Sequence, residues 1–303
     1  MGSPMGRPGI FIAIEGIDGS GVSTHSYILT ERLRHLGIDV VYTKEPSRNI
    51  IGSLLRDTLQ GLHPTLKRNE VLALLFAADR FLHLYSCFYT GKTSAEDCIL
   101  AELVRGRLIV SDRYKYSSFT YQASKSPLGF VPENWIESLN WFAPPPHILI
   151  YLDVPPSVAW RRIKARSIIQ LYEVPEWLKH VKQEFNRIME RYSREPEYCP
   201  GSKNPHWLNI IREFLSNIGP EDLYPRGLCY PIIVHVKGVD NNGERAVNDV
   251  ANDIEAAVIF VLTNYLSRSV GRERANVAKR IIEASRKRGL LTIHAKLNKT
   301  IPT

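Results

Sequence analysis

Cysteine is scarce in this sequence, and long apolar runs are missing. Its 303 residues include four cysteines, which form no Cys-x-x-Cys pair and no metal-ligand cluster. No apolar run approaches the length of a membrane span, and residues 1–9 lack the apolar stretch of a signal peptide. We therefore expect a cytoplasmic protein with no membrane contact. Cys199 and Cys229 bracket one unusual segment, and because intracellular disulfides occur in hyperthermophiles, a bridge between them stays open.

Most of the chain also lacks an excess of charge of either sign. The net charge is +8, yet ten basic and two acidic side chains lie between Arg268 and Lys299, so the remainder is formally neutral. This basic tail contains an amphipathic pattern over residues 273–287. We expect it to pack on the core as a helix, and nucleic-acid binding is the less favoured alternative. The apolar residues predicted to make that packing are Val277, Ile281 and Ile282.

One stretch near the start, IFIAIEGIDGSGVST, organises the rest of the chain. A short β-branched run over residues 10–14 predicts a strand, and residues 22–36 have helical spacing. Strand, glycine-rich turn and helix in this order are typical of a phosphate-binding loop, and Gly16-x-x-x-x-Gly21-x-Ser23 fits that spacing. The loop residues predicted to contact a nucleotide are Gly16, Gly19, Ser20, Gly21, Val22, Ser23 and Thr24.

Val22 stands where such loops carry a lysine. Backbone N–H groups and the positive end of the helix can still bind phosphate, because neither needs a side chain. Ser23 still offers a hydroxyl to Mg²⁺. The missing part is the cation that stabilises charge at the β- and γ-phosphates during transfer.

Strand-like and helix-like segments alternate along the chain. This predicts an α/β fold, a doubly wound parallel sheet of about five strands with ligands at the carboxyl ends of the strands. Residues 1–267 are predicted to form the main domain, interrupted by a Pro- and Gly-rich helical insert at about 193–228, and residues 268–303 form a basic helical extension. The predicted strands are residues 10–14, 39–42, 108–110, 148–152 and 232–236.

Two further motifs carry chemistry. Phe76 and Arg80 are four residues apart in a long apolar helical segment, so they share a face, and an aromatic plane beside a guanidinium suits a nucleobase. Asp112 and Arg113 end a buried strand, where this kind of fold places a carboxylate for Mg²⁺. The next residues, 114–122, alternate polar and aromatic side chains, which suits a binding surface more than a core.

Taken together, the chain resembles the thymidylate kinase family over about residues 10–266, apart from the insert. The ordered motifs are EGIDGSG with ST, TKEPSRNIIGSLLR, LLFAADRFLH, VSDRYKYSSFTYQ and LDVPPSVAWRRIKAR. The resemblance implies a nucleoside-monophosphate-kinase-like P-loop fold, a homodimer, and transfer of phosphate from ATP to dTMP with Mg²⁺. The acceptor phosphate is already ionised at neutral pH, so positioning and charge neutralisation suffice without a general base.

The resemblance also implies roles for individual residues. Asp18 would meet the acceptor's sugar hydroxyl, and Arg56 and Arg113 would hold its phosphate. Phe76 would stack on thymine and Arg80 would bond to its edge. The remaining implied positions are Ser117, Tyr121 and Gln122 around the base, and Ser23 and Asp112 at Mg²⁺.

The departures from the family lie on the donor side. Val22 replaces the loop lysine, Gly19 replaces an arginine found in some members, and residues 170–173 lack an arginine expected in the lid. Candidate replacement cations are Lys44, Lys115, Arg162 and Arg166. We expect Arg162 and Arg166 to compensate, because helical spacing puts both on one face. The alternatives left open are a weak or inactive nucleotide-binding homologue, and a kinase of another pyrimidine nucleotide such as dUMP.

Overall fold

The fold is described from a computed structural model. It describes residues 9–90, 98–123, 129–165, 173–200, 206–214, 223–224, 228–266 and 271–296. Its centre is a sheet of six strands in the order β2-β3-β1-β4-β5-β8. The first five run parallel, and β8 runs antiparallel to β5. The strands of this sheet are β1 (Ile10–Glu15), β2 (Val40–Lys44), β3 (Leu108–Asp112), β4 (Ile148–Asp153), β5 (Ile232–Lys237) and β8 (Leu291–His294).

The helices connect and cover these strands. A short 3₁₀ helix lies at Pro64–Leu66, and a two-stranded hairpin consists of β6 (Val239–Asp240) and β7 (Gly243–Glu244). The α-helices are α1 (Val22–His35), α2 (Ile50–Leu59), α3 (Asn69–Thr90), α4 (Ile99–Val104), α5 (Lys115–Tyr121), α6 (Glu133–Leu139), α7 (Pro156–Lys164), α8 (Pro175–Arg194), α9 (His206–Phe214), α10 (Val247–Asn264) and α11 (Arg272–Lys287).

Strand β1 lies between β3 and β4 and is buried along its whole length. Ile12 pairs with Val110 on one side and Ile148 on the other. Because both faces of the strand are covered, the side chains that point to either face are apolar, and the sequence is a continuous apolar run instead of an alternating one. From β1 the chain passes to β2 on one side of the sheet, and from β3 it passes to β4 on the other side, so the strand order reverses between β1 and β3. Ligands bind at such switch points, outside the carboxyl ends of the strands. The fold therefore confirms the predicted class and places the glycine-rich loop and Asp112 side by side.

The basic tail adds the sixth strand, which the sequence did not predict. Strand β8 is only four residues long and alternates in burial, too short for its pattern to stand out. Helix α11 packs on α10, as expected, with Ile282 buried and Ile281 partly buried. The prediction for Val277 is wrong: its side chain is 44% exposed, and Ala278 faces the core instead.

The sequence also did not predict helix α5, and the expectation that residues 114–122 form a binding surface more than a core needs correction. Tyr114, Tyr116 and Phe119 are buried in the core, so this run is not mainly a surface. The residues of this run that line a cavity are Tyr114, Ser117, Ser118, Tyr121 and Gln122. They recur at intervals of three and four, so they form one face of a helix whose other side is buried.

Both pairs of cysteines are bridged. Cys199 bonds to Cys229, the pairing that the sequence left open, and Cys87 bonds to Cys98, which the sequence did not suggest. In the insert, Tyr198, Trp207 and Tyr224 pack against one another, so the described part of this segment has an aromatic core of its own. The disulfide joins that core to the start of β5.

By length and composition, α3 is long and apolar enough over Asn69–Phe88 to cross a membrane, contrary to the expectation that no run approaches that length. Half of this stretch is buried inside the fold. The same pattern is typical of a core helix of a globular protein, and α3 contacts α2, α4, α5 and α6.

Candidate active site

The loop after β1 has the geometry of an anion-binding turn. Gly21 precedes α1 with a φ of 99°, a left-handed conformation that side chains avoid. The Ser20 amide donates to the Ile17 carbonyl across 3.0 Å, which closes the turn. The first amides of α1 and the positive end of its dipole therefore face outward beside the exposed side chains of Ser23 and Thr24. Such a helix start binds phosphate through its backbone.

Val22 supplies packing at the position where a lysine would supply charge. Its side chain is only 4% exposed and belongs to the hydrophobic core. Any cation near the loop must therefore come from another element of the fold.

Helix α7 brings a cation to the loop and leaves no room for a side chain at position 19. Gly19 has a φ of 79°, and a Cβ there would lie 2.4 Å from the carbonyl oxygen of Ala159 in α7. An arginine at position 19 is thus excluded by the close approach of α7. From the same helix, Nη1 of Arg162 donates to the carbonyls of Gly19 and Ser20, each across 3.2 Å. Arg166 and residues 170–172 lie outside the described residues.

On the other side of the loop, Arg113 ties together three parts of the site. Its Nη2 donates to Asp18 across 2.6 Å, and its Nη1 donates to the Gly16 carbonyl and the Ser117 hydroxyl. Arg113 has a φ of 70°, and a non-glycine residue in this region costs about 1–3 kcal/mol, which these contacts must offset. Burial acts against its charge, yet Tyr121 and Asp18 raise the pKa of Arg113 well above its ordinary value. It stays a cation.

Glu15, at the end of β1, is a site residue that the sequence did not indicate. Its carboxylate accepts hydrogen bonds from the amides of Tyr114 and Ser117 and from the Ser117 hydroxyl, at 2.6 to 3.1 Å. The residue thereby fixes the turn that carries Arg113. Burial raises the pKa of Glu15 to about 7, although the charge of Arg113 opposes this shift. The sequence marks Glu15 only as an acidic residue at the end of an otherwise apolar strand.

Replacing Glu15 with glutamine should remove a pH-dependent loss of stability. Between about pH 4.5 and 7, Glu15 ionises in the unfolded chain while the folded chain keeps its proton, so the wild type loses stability relative to the variant as pH rises. The expected change in the difference between their unfolding free energies is on the order of 3 kcal/mol. Urea unfolding at several pH values measures it. A difference that stays constant with pH would show that Glu15 is already ionised in the folded protein.

A cavity of about 290 Å³ opens beside the loop and brings the predicted acceptor residues together. Lys44, Glu45 and Glu173 also reach it. Distant parts of the sequence thus converge on one space, as expected for a binding site. Its lining includes Asp18, Gly19, Gly21, Val22, Ser23, Thr24, Arg56, Phe76, Arg80, Asp112, Arg113, Ser117, Tyr121 and Gln122.

Arg80 reaches this cavity but is more buried than the sequence suggested, with 1% exposure. Its guanidinium donates to Glu45 across 2.5 Å, to the Ser118 hydroxyl and to the Asn140 side chain. Burial alone would raise the pKa of Glu45, but the neighbouring Arg80 charge lowers it overall. Removing Arg80 would leave this buried carboxylate beside His83, whose Nδ1 lies 3.6 Å from it, without its guanidinium partner, at a cost of about 3–5 kcal/mol. Its contact with a base stays a prediction.

Arg56, in α2, and Asp112, at the end of β3, both line the first cavity. Arg56 donates to the Pro46 carbonyl across 3.1 Å and to the Ser53 hydroxyl across 2.8 Å, so its guanidinium is held at the cavity wall. Asp112 is 4% exposed and accepts a hydrogen bond from the Tyr42 hydroxyl across 3.3 Å. Both side chains are therefore fixed before any ligand arrives.

Lys115 is not available as a replacement cation, contrary to one expectation from the sequence. It is buried, and its Nζ donates to the Ala143 carbonyl across 2.8 Å and to Glu197 across 2.5 Å. Lys44 is exposed and lines the cavity.

A second cavity, of about 410 Å³, also borders the loop. Gly19, Gly21 and Thr24 line both cavities, so the loop contributes to each. Burial lowers the pKa of His25 to about 4, and Arg162 and Arg32 act in the same direction, so its imidazole is neutral. The other residues at this cavity include Ser20, Leu152, Val154, Arg162, Gly238, Glu244, Arg245, Ala246, Val247 and Val250.

The residues present fit a magnesium ion bound mainly by a ligand. Ser23 and Asp112 place one hydroxyl and one carboxylate at the first cavity, and Mg²⁺ prefers oxygen ligands. Within the described parts of the chain, no three His, Cys, Asp or Glu side chains form a metal cluster. Mg²⁺ is commonly bound by only one or two carboxylates, with waters and phosphate oxygens as its other ligands.

Comparison with known proteins gives a consistent result. The family model described as thymidylate kinase matches residues 14–200. A protein of Aeropyrum pernix named as a thymidylate kinase is 40% identical over 178 residues, which is 59% of this chain and 77% of its own length. Proteins with that name from Thermococcus onnurineus and Methanocaldococcus jannaschii are each 35% identical, over 60% and 61% of this chain and 85% and 84% of their own lengths.

The matched region contains the loop, Asp112, Arg113 and the residues that line the first cavity, while β5 and the tail lie beyond it. Family, fold and site thus agree on a nucleotide-dependent kinase, and the chain belongs to the thymidylate kinase family.

Proposed function

We propose that this protein transfers the terminal phosphoryl group of ATP to dTMP, giving ADP and dTDP, with Mg²⁺ as cofactor. The observation that carries the proposal is that two cavities share the residues of one phosphate-binding loop. One cavity collects the acceptor residues expected from the family, and the other offers space for a donor nucleotide. A direct transfer between two phosphates requires that both lie against the same loop.

On the acceptor side, the residues bind and orient. Arg56 and Arg113 supply fixed positive charge for the acceptor's phosphate, and Asp18 is positioned by Arg113 to accept a hydrogen bond from a sugar hydroxyl. Phe76 is partly buried and lines the cavity, where its ring would stack on a base. Because the attacking oxygen belongs to an ionised phosphate, no proton needs to be removed.

On the donor side, the loop amides and the start of α1 would hold the phosphates. Mg²⁺, held by Ser23 and Asp112, would neutralise phosphate charge when bound. Arg162 contacts the loop itself and supplies the positive charge that Val22 cannot. Preorganised charge of this kind stabilises the transition state without reorganisation during the reaction.

A second candidate function is nucleotide binding with little or no catalysis, and the specific observation that favours it is Val22. We place it second because the acceptor cavity holds every residue type that transfer to a monophosphate requires.

The proposal includes a homodimer in the cytoplasm. Exposed apolar side chains on neighbouring α2 and α3 support an interface: Ile50 is 84% exposed and Leu74 is 50% exposed. The two disulfides are compatible with a cytoplasmic location in hyperthermophiles, whose intracellular proteins are rich in such bonds.

An ADP-release assay across several acceptors tests the proposal. With ATP and Mg²⁺, we expect turnover with dTMP to exceed turnover with dUMP, CMP and UMP, and thymidine to give none, because it lacks the phosphate that Arg56 and Arg113 would hold. Loss of one methyl contact is worth about 10- to 200-fold in such a pocket, so dUMP is the critical comparison. Higher turnover with dUMP would mean that dUMP, and not dTMP, is the substrate. The absence of turnover with every acceptor would favour the nucleotide-binding function.

A further inference from the structure

Arg162 owes its position at the loop to a residue far along the chain. Glu244, in β7, accepts hydrogen bonds from Nε and Nη2 of Arg162 across 3.3 and 3.0 Å. The third nitrogen, Nη1, donates to the loop carbonyls of Gly19 and Ser20. The guanidinium therefore bridges a carboxylate on one side and the phosphate-binding loop on the other.

This bridge restricts a side chain that would otherwise be mobile. An arginine side chain on a helix surface has many rotamers, and a planar guanidinium is best fixed by a carboxylate that accepts from two of its nitrogens. The exposed fractions of the Arg162 and Glu244 side chains are 32% and 31%. Glu244 also pairs with Arg161, whose side chain is 68% exposed. One carboxylate thus pairs with two cations, and Arg162, the less exposed of the two, also contacts the loop.

Glu244 is itself held in place from behind. Its neighbour Arg245 is buried and donates to the Lys237 carbonyl across 2.7 Å and to Asp253 of α10 across 2.7 Å. Asp253 accepts a further hydrogen bond from the hydroxyl of Ser285 in α11. These buried contacts connect the C-terminal helix to the hairpin that presents Glu244.

We propose that Glu244 is a positioning residue that holds the Arg162 guanidinium against the phosphate-binding loop, and that α11 supports it through Ser285, Asp253 and Arg245. This rests on the proposed function, in which Arg162 replaces the missing lysine. The C-terminal segment then serves the donor site, although it lies outside the region matched by the family.

A double-mutant cycle tests the proposal by binding, without relying on activity. The probe is a non-hydrolysable ATP analogue with Mg²⁺, measured by calorimetry on the full chain. Arg162→Ala and Glu244→Ala should each weaken binding, by about tenfold for the loss of a charged hydrogen bond. The double variant should bind no more weakly than Arg162→Ala alone, because Glu244 acts through that arginine. Glu244→Gln should recover part of the loss, since its amide oxygen can still accept from Arg162.

Arg161→Ala is the matched control, because Arg161 pairs with the same carboxylate but is more exposed. It should leave binding of the analogue within about twofold of the wild type. Ser285→Ala should weaken the analogue's binding by a few-fold and leave dTMP binding unchanged, a split that general loss of stability would not produce.

Three results would overturn the proposal: unchanged binding in Glu244→Ala, tighter binding in Glu244→Gln, or losses that add fully in the double variant. Tighter binding of the ATP analogue to Glu244→Gln would mean that the negative charge of Glu244 repels the nucleotide's phosphates. The proposed function fails separately, in the acceptor assay: an inactive wild type with a non-additive cycle would refute the kinase and leave the positioning role of Glu244 standing.

Discussion

Replacing Asp112 with asparagine should lower turnover by about a thousandfold, equivalent to about 4 kcal/mol of transition-state stabilisation. Asparagine has nearly the same shape and can still accept the hydrogen bond from Tyr42, so the fold should be kept. It lacks the negative charge that would hold Mg²⁺, and without the metal the charge on the transferring phosphate is not neutralised. The measurement is ADP release at saturating ATP and dTMP, with the melting temperature recorded in parallel.

Tyr42→Phe is the control for Asp112. It removes the hydrogen bond to the same carboxylate but leaves its charge, so turnover should fall by less than about threefold. Near-normal turnover in Asp112→Asn would mean that this aspartate only shapes the end of β3 and that Mg²⁺ is held elsewhere.

Replacing Arg162 with alanine should lower turnover by about a hundredfold, the usual size of the effect when one stabilising donor is removed from a transition state. The reason is that Val22 is buried in the core and carries no charge, whereas Arg162 contacts the loop at two carbonyls. Adding Val22→Lys to Arg162→Ala should restore part of the lost turnover, because a lysine at that position would supply the charge from the loop itself. Steady-state kinetics with ATP and dTMP give both numbers.

Arg161→Ala again serves as the control and should keep near-normal turnover. Full activity in Arg162→Ala would end the idea that α7 compensates for the missing lysine. Arg166 was predicted to act with Arg162, so Arg166→Ala belongs in the same series. If no variant releases ADP in response to dTMP, Val22→Lys included, the protein binds nucleotides without transferring phosphate.

Much of the acceptor site could be predicted from short stretches of sequence. Phe76 and Arg80 share one helix face because of their spacing, and Asp112 follows a buried apolar run, so both features are local. The contacts of Arg80 could not be predicted in this way. Its partner Glu45 is 35 residues away, and only the packed structure reveals that the guanidinium is held by a buried carboxylate. Lys115 is a similar case, since its partner Glu197 lies 82 residues away.

The sequence by itself determined the α/β class, the phosphate-binding loop and the family, because apolar runs, glycine spacing and ordered motifs are properties of neighbouring residues. The tertiary structure alone decided what surrounds the loop. It brought Arg162 to Gly19, 143 residues away, and Glu244 to Arg162, and it placed Glu15 beneath Arg113 and added β8 to the sheet. These contacts depend on how closely helices and strands approach each other. At Gly19, α7 comes so close that a Cβ would lie 2.4 Å from the Ala159 carbonyl oxygen, which excludes a side chain that the motif would allow.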